Sequence, residues 1–411
     1  MENQKNDEVI IAHPIRVIPF DLGRELYDTD FKNIYKYLND NSYIELNVTP
    51  RQASILKDCH VAFVIDAGLS LFVYKTGIIV FVIEESYIEY INNRNFSILY
   101  GENRKKAHSE LFKWNHRQSS IMWSIVKDLR FFVLKEKKSE RIRSSASEEF
   151  ENKGLSYIMT LSLFDWNNKI SGSFKDYPDW MKSNIYAMLD PAVLYLEDSS
   201  KFESSTEIEF DLDSILNSIE IDQNLHDYEK HRHLDTYMSW AAVIGIGKVQ
   251  KIDIEEYVAL EVQLQSDWFY VYCLDKTLDD IQSFSKKDIV DLQRKSYTLD
   301  LIDNRLYDFD DSSMPTRILD LQKGMVDTSG LSDNMQRLQR KIKYILEREQ
   351  LDGALKQKKL GQSTEILLFF IAFIEIAPTV AEYGEHLFHN AGIFMNCIIV
   401  VIGIVLLLRK E

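Results

Sequence analysis

Thr364, Glu375 and Thr379 are the side chains whose type and spacing suggest chemistry most directly, because they stand in or beside the apolar run Ile366 to Val380. At about 100° per residue, their separations leave them within roughly 20° and 40° of whole helical turns, so they share one face with Leu368 and Ala372. A carboxylate at the depth of Glu375 is costly against lipid, so this face is expected to meet water, a partner helix or the axis of an oligomer. A symmetric oligomer makes Glu375 a ring that favours cations, and the threonine hydroxyls can replace part of an ion's hydration shell. The five residues Thr364, Leu368, Ala372, Glu375 and Thr379 are therefore the pore-lining candidates. The plain alternative is a Glu375 that snorkels to an interface or is protonated. Just beyond, Glu382, Tyr383, Gly384, Glu385 and His386 read as an outer-loop cation site, with His389 adding a second imidazole. Such a group concentrates divalent cations or responds to pH, and equally well forms a soluble turn.

The elements expected to position these residues are two apolar helices, Ile366 to Val380 and Ala391 to Leu408. The second has the length of a membrane span, for which roughly 20 residues are needed. The first reaches it only by extending from Ser363 to Tyr383. Lys356, Lys358 and Lys359 precede the pair and Arg409 and Lys410 follow it, while the link carries neither Lys nor Arg. That flank pattern predicts a multi-pass protein of the cytoplasmic (inner) membrane with both termini in the cytoplasm and the lipid bilayer as a partner. Asn396 is expected to hydrogen-bond between helices. The polar N-terminus has no apolar stretch of signal-peptide type.

Upstream, Leu331, Met335, Leu338, Ile342 and Ile345 alternate steps of four and three, as a heptad seam does. Leu351 and Leu355 then continue on a shifted stripe. No proline interrupts this stretch before Pro378, which predicts one continuous rod, and rods of this kind assemble.

The rest of the chain is expected to be a cytosolic α/β domain over residues 1–250, with an internal joint near 135–153. A helical region follows over 251–361, and the two-helix transmembrane hairpin over 362–411. Leu69 to Tyr74 and Ile78 to Ile83 predict a hairpin turning at Gly77. Further strands are expected at Ile10 to Phe20, Val61 to Ile65, Leu155 to Phe164 and Val193 to Leu196, and helices at Asp30 to Leu38 and His108 to Leu134. After Lys248 strand signals stop, and Leu260, Leu264, Trp268 and Tyr272 recur at helical spacing.

Forty-eight basic against 64 acidic residues give a net charge of −16, which disfavours direct nucleic-acid binding and favours cations. Cys59, Cys273 and Cys397 show no metal spacing and read as packing residues. His226, His231 and His233 form either a metal or phosphate site or a solvated helix face. Gly245-Ile246-Gly247-Lys248 suggests a small glycine turn but lacks the rest of a phosphate loop. Asp300, Asp303, Asp308, Asp310 and Asp311 form a dense acidic group that also reads as a charged loop. Neither a Ser-His-Asp arrangement nor an HExxH helix is legible, so the chain is not expected to be an enzyme.

Taken together, the α/β body, the rod from Leu331, the span with Glu375 and the basic Arg409-Lys410 end resemble the CorA-like two-span divalent-cation channels. That family's signature is a Tyr-Gly-Met-Asn stretch a few residues after a proline. This chain has Pro378 and Tyr383-Gly384, but Glu385-His386 fill the Met-Asn places. The resemblance implies a homopentamer, Mg²⁺ or another divalent cation as ligand, and acidic helices near the stalk that attract magnesium. It does not imply magnesium selectivity. Divergent CorA-like proteins also serve as membrane effectors beside type III CRISPR systems, which implies antiviral defence and a nucleotide second messenger as activator.

Two functions are thus expected. The first is an oligomeric, cation-conducting channel or transporter gated through its cytosolic domain. The alternative is a membrane-anchored binding or scaffold protein without a pore.

Overall fold

The computed structural model of the protein describes residues 10–84, 88–90, 116–135, 158–166, 234–238, 242–279, 286–307 and 316–387. These divide into two compact units at Ile342/Lys343.

In the first unit a mixed sheet is sandwiched between helices. Its strands are β1 (Ile10–Asp21), β2 (Ile44–Glu45), β3 (Cys59–Asp66), β4 (Leu69–Tyr74), β5 (Ile78–Glu84), β6 (Ile88–Tyr90), β7 (Met159–Trp166), β8 (Leu234–Met238) and β9 (Ala242–Gly247). They are ordered β2-β3-β4-β5-β1-β7-β9-β8, with β6 sharing the edge of β1. All described pairs are antiparallel except β7 with β9. The β4–β5 hairpin turns at Gly77, whose φ of 80° is open to glycine without a Cβ clash, and Gly77 N–H donates to Tyr74 O.

Period-2 alternation sends the two sides of each strand to different helices. Ile18, Phe20, Phe63, Leu71, Val73, Phe81 and Ile83 pack with α1 (Asp28–Asp40) and α3 (His116–Lys135) in one apolar cluster. The opposite face carries α4 (Lys251–Asp279), which contacts β1, β5 and β7. Because both faces are covered, β5 is buried at every position from Ile78 to Ile83 and reads as a continuous apolar run instead of an alternating one.

Around α4 lie α2 (Pro50–Ile55), α5 (Lys286–Tyr307) and α6 (Thr316–Ser329). Arg51 of α2 pairs with the buried Glu256 of α4 at 2.7 Å. Helix α4 starts where Gln250 N–H donates to Asp253 Oδ2 at 2.9 Å, and it is buried on nearly all sides, as a helix enclosed by other elements must be.

The last described helix is α7 (Leu331–Leu387), 57 residues without a break. Its seam residues Leu331, Met335, Leu338 and Ile342 are fully buried within the first unit. Arg337 and Lys341 pair with Asp275 of α4, Lys341 also reaches Asp279 at 2.6 Å, and Gln339 donates to Asp300 of α5 at 3.0 Å. The expected inter-chain seam is therefore covered from within the chain over these turns. From Lys343 onward, Leu351, Leu355, Leu360, Leu367 and Leu368 are exposed.

The C-terminal transmembrane hairpin expected from the sequence is not borne out. Among the described residues no helix is long and apolar enough to cross a membrane. The physical reason lies in the run Ile366 to Val380, which falls short of the roughly 20 apolar residues a span needs and carries Glu375 and Pro378. The multi-pass placement in the cytoplasmic membrane loses its basis with it. Helix α7 also continues through Glu382, Tyr383, Gly384, Glu385 and His386, where an outer loop was expected. The second run, Ala391 to Leu408, lies outside the described residues.

Gly245-Ile246-Gly247 is strand β9, not a phosphate-cradling turn. Gly245 pairs with Leu163 of β7, and a Cβ there would stand 2.6 Å from Leu163 Cδ2 and 3.8 Å from the Tyr257 ring. Leu163 is fully buried, so its side chain must shift against packed neighbours to make room. Gly245→Ala should cost about 1–3 kcal/mol of stability, as overpacked cores do, read as a lower urea midpoint at unchanged slope.

Candidate functional site

The side chains that the fold brings together around a cleft are not those singled out by sequence. The cleft lies between the C-terminal end of α2, the middle of α4, the end of α5 and α6, with Lys57, Leu260, Gln263, Asp267, Arg305 and Met325 among its walls. The space inside it that a water-sized body can occupy is ≈ 20 Å³.

Arg305 is its hub. Its guanidinium donates to Asp267 Oδ1 at 2.8 Å, to Asp58 Oδ2 at 2.6 Å and to the Lys57 carbonyl at 3.3 Å. One side chain of α5 thus ties the α2–β3 turn to α4. Asp58 sits in that turn at a φ of 65°, a left-handed conformation that Asp tolerates better than most residues.

Asp267 is buried and receives a second bond from Gln263 Nε2, one helical turn away, at 3.0 Å. Burial pushes the Asp267 carboxyl up, while the Arg305 charge opposes that shift. Because the carboxylate requires donors, the Gln263 NH₂ faces it and the Gln263 Oε1 is left on the other side. That Oε1, the Arg305 Nε, the Ser266 hydroxyl and the Tyr74 hydroxyl are buried without a hydrogen-bond partner among the described residues. Tyr74 stands opposite Cys59 in the β3–β4 register, and burial raises its phenol well above the ordinary range. Burial likewise lifts the Cys59 thiol to about 12, so it is held as a neutral packing group.

On the other side of α4, Glu261 is fully buried and accepts from Gln265 Nε2 at 2.9 Å. Burial raises its carboxyl to about 7. Its second oxygen has no hydrogen-bond partner among the described residues.

Of the residues expected to act, Thr364, Leu368, Ala372 and Glu375 are exposed on α7, and Thr379 lies on the same helix. The cleft contains none of them. Asp300 and Asp303 are on α5, where burial and the neighbouring Asp300 raise the Asp303 carboxyl. His226, His231, His233, Asp308, Asp310, Asp311, Asn396 and Cys397 lie outside the described residues, as do Val193 to Leu196 and residues 136–153. Among the described residues no group of three or more His, Cys, Asp or Glu side chains is arranged to hold a metal ion.

Only one signal in the sequence could have pointed to the cleft. Gln263 and Asp267 stand four apart within the apolar helix Tyr257 to Leu278, where polar residues need a partner to be buried. Arg305 comes from 38 residues further along the chain and gives no local cue.

Comparison of the chain with family models, with characterised proteins and with solved structures finds no match.

Proposed function

We propose that the protein is a non-catalytic transducer, in which the cleft of the α/β body receives a small ligand and α4 relays its occupancy to the root of α7. The observation that carries this reading is that a single helix holds both ends of the relay. Asp267 and Gln263 of α4 form the cleft, while Asp275 and Asp279 of the same helix grip Lys341 of α7. At about 1.5 Å per residue, the two ends are only about 12 Å apart. A shift or rotation of α4 therefore acts on both. This is the binding-module expectation without its membrane anchor. The exposed leucines of α7 fit assembly with further copies of the chain, a question sedimentation equilibrium answers directly.

The test uses reciprocity: if the cleft acts on the root of α7, the root must act on the cleft. Lys341→Ala should raise amide exchange severalfold at Leu331 to Ile342 and also at residues 55–60 and 263–267. An effect confined to α7 would reject the relay.

A second reading, cation conduction by an assembly around α7, has one observation in its favour. Thr364, Leu368, Ala372 and Glu375 are all exposed, with no covering element among the described residues of their own chain. It ranks below the first because it requires a membrane-crossing element that the described residues do not supply. Equal cation flux from wild type and Glu375→Gln in reconstituted vesicles would remove it.

A further inference from the structure

We infer that α7 pairs with α7 of a second copy of the chain, the two helices running antiparallel and crossing most closely at Gly353. The inference rests on the assembly reading of α7 above and names the surface, the partner and its direction.

The surface follows from period. At about 100° per residue, Leu346, Gly353, Leu360 and Leu367 fall within roughly 60° of one another, on the side of α7 that carries the seam Leu331, Met335, Leu338 and Ile342. Up to Ile342 that side is buried within the chain, whereas Gly353, Leu360 and Leu367 are exposed, Leu360 to 68%. Leu351 and Leu355 are exposed as well, but they stand on the opposite side of the helix.

Gly353 sets how near the partner comes. Glycine in a helix interior loses more conformational freedom than any other residue and disfavours the helix relative to alanine. Its own chain gives no reason for it. Gly353 lies in mid-helix, away from any cap or turn, and among the described residues no atom stands within 4 Å of the place a Cβ would take. A second helix passing close by supplies the reason, because the side chains at a crossing fix the distance between the two axes.

Charge identifies the partner and its direction. Glu349 stands four residues before Gly353 and Lys356 three residues after it, both on the same flank of the stripe. A two-fold axis at the crossing of antiparallel helices sets each residue against the one about equally far beyond Gly353. Leu346 then meets the partner's Leu360 and Glu349 meets the partner's Lys356, each contact occurring twice. Parallel helices would instead bring Glu349 to Glu349 and Lys356 to Lys356, and like charges so placed repel. The patch is therefore complementary to itself only when reversed. Because the same side of α7 is already covered up to Ile342, the contact is confined to the turns between Leu346 and Leu360, about 21 Å of helix, and the two rods cross instead of lying side by side.

Sedimentation equilibrium of the full-length protein reads the association, and substitutions on exposed turns of α7 assign it. Gly353→Leu should weaken it by about tenfold or more, although leucine is the better helix former. Leu355→Gln, on the opposite side, should leave it within about twofold of wild type. Glu349→Lys and Lys356→Glu should each weaken it by about fivefold, and the two together should restore it, because the exchanged patch is again complementary to itself when reversed. A chain that stays monomeric at every concentration, Gly353→Leu associating as wild type does, an equal loss from Leu355→Gln, or a double exchange that restores nothing would each overturn the proposal. Lys341→Ala is read by amide exchange along one chain and this contact by mass, so failure of the relay and failure of the pairing are told apart.

Discussion

Arg305→Met should lower the unfolding free energy by about 3–5 kcal/mol, the range expected when one member of a buried ion pair is removed and the other is left behind. The loss comes from Asp267. It is 2% exposed, and without the guanidinium Gln263 Nε2 is its one remaining donor among the described residues. Asp58 contributes little to the loss, because at 55% exposure its carboxylate returns to water. Two further variants separate these contributions. Asp58→Asn alone should change stability by less than about 1 kcal/mol. The double variant Arg305→Met with Asp267→Leu should recover most of what Arg305→Met loses, since no uncompensated charge then remains inside. Urea unfolding at neutral pH measures all three. A loss under about 1 kcal/mol in Arg305→Met would mean that Asp267 protonates or hydrates at little cost, and Arg305 would no longer count as the hub of the cleft.

The contrast between what the sequence reveals and what it hides follows from the range of the interactions. The β4–β5 hairpin is legible because Gly77 and its apolar arms are contiguous, and α1 and β1 are legible from period alone. Helix α4 is legible as a helix, but its polar residues look like surface until the sheet, α2, α5 and α6 close around it. The seam Leu331, Met335, Leu338 and Ile342 has the correct period and an unforeseen partner. A heptad records that a stripe is buried, not whether the covering helix belongs to the same chain. Gly245 misleads for a related reason, since a glycine required by close strand packing looks in sequence like one required by a turn. The cleft is hidden because Arg305 reaches Asp267 and the neighbouring Asp58 only through tertiary contacts, and the Gln263–Asp267 bond alone is local. The apolar run around Glu375 stands out by hydropathy, a property that reports composition along a helix and not what surrounds it.

Glu261 should make the protein lose stability as pH rises from about 4.5 to about 7. In the unfolded chain its carboxyl titrates near the ordinary 4.5, whereas burial lifts it to about 7 in the fold, and the Gln265 bond only partly offsets that effect. The sign follows from proton counting. Between those two values the folded protein keeps the Glu261 proton while the unfolded chain has released it, so each rise in pH favours unfolding. At about 1.4 kcal/mol per tenfold in proton affinity, the interval is worth about 3 kcal/mol, present in full below about pH 4.5 and gone above about pH 7. Asp267, also raised by burial, adds to the same trend, while His13, lowered by burial, acts against it at the acidic end. Glu261→Gln isolates the one contribution. It keeps an oxygen to accept from Gln265 Nε2 and removes the charge, so it should be nearly neutral at pH 4.5 and stabilising by about 2–3 kcal/mol at pH 8. The measurement is the difference in unfolding free energy between wild type and Glu261→Gln across pH 4.5 to 8. A difference that stays flat over that range would show that Glu261 ionises in the fold as readily as in the unfolded chain. A growing difference means that α4, the helix shared by the cleft and the root of α7, carries a carboxyl that ionises near neutrality and is least stable when charged.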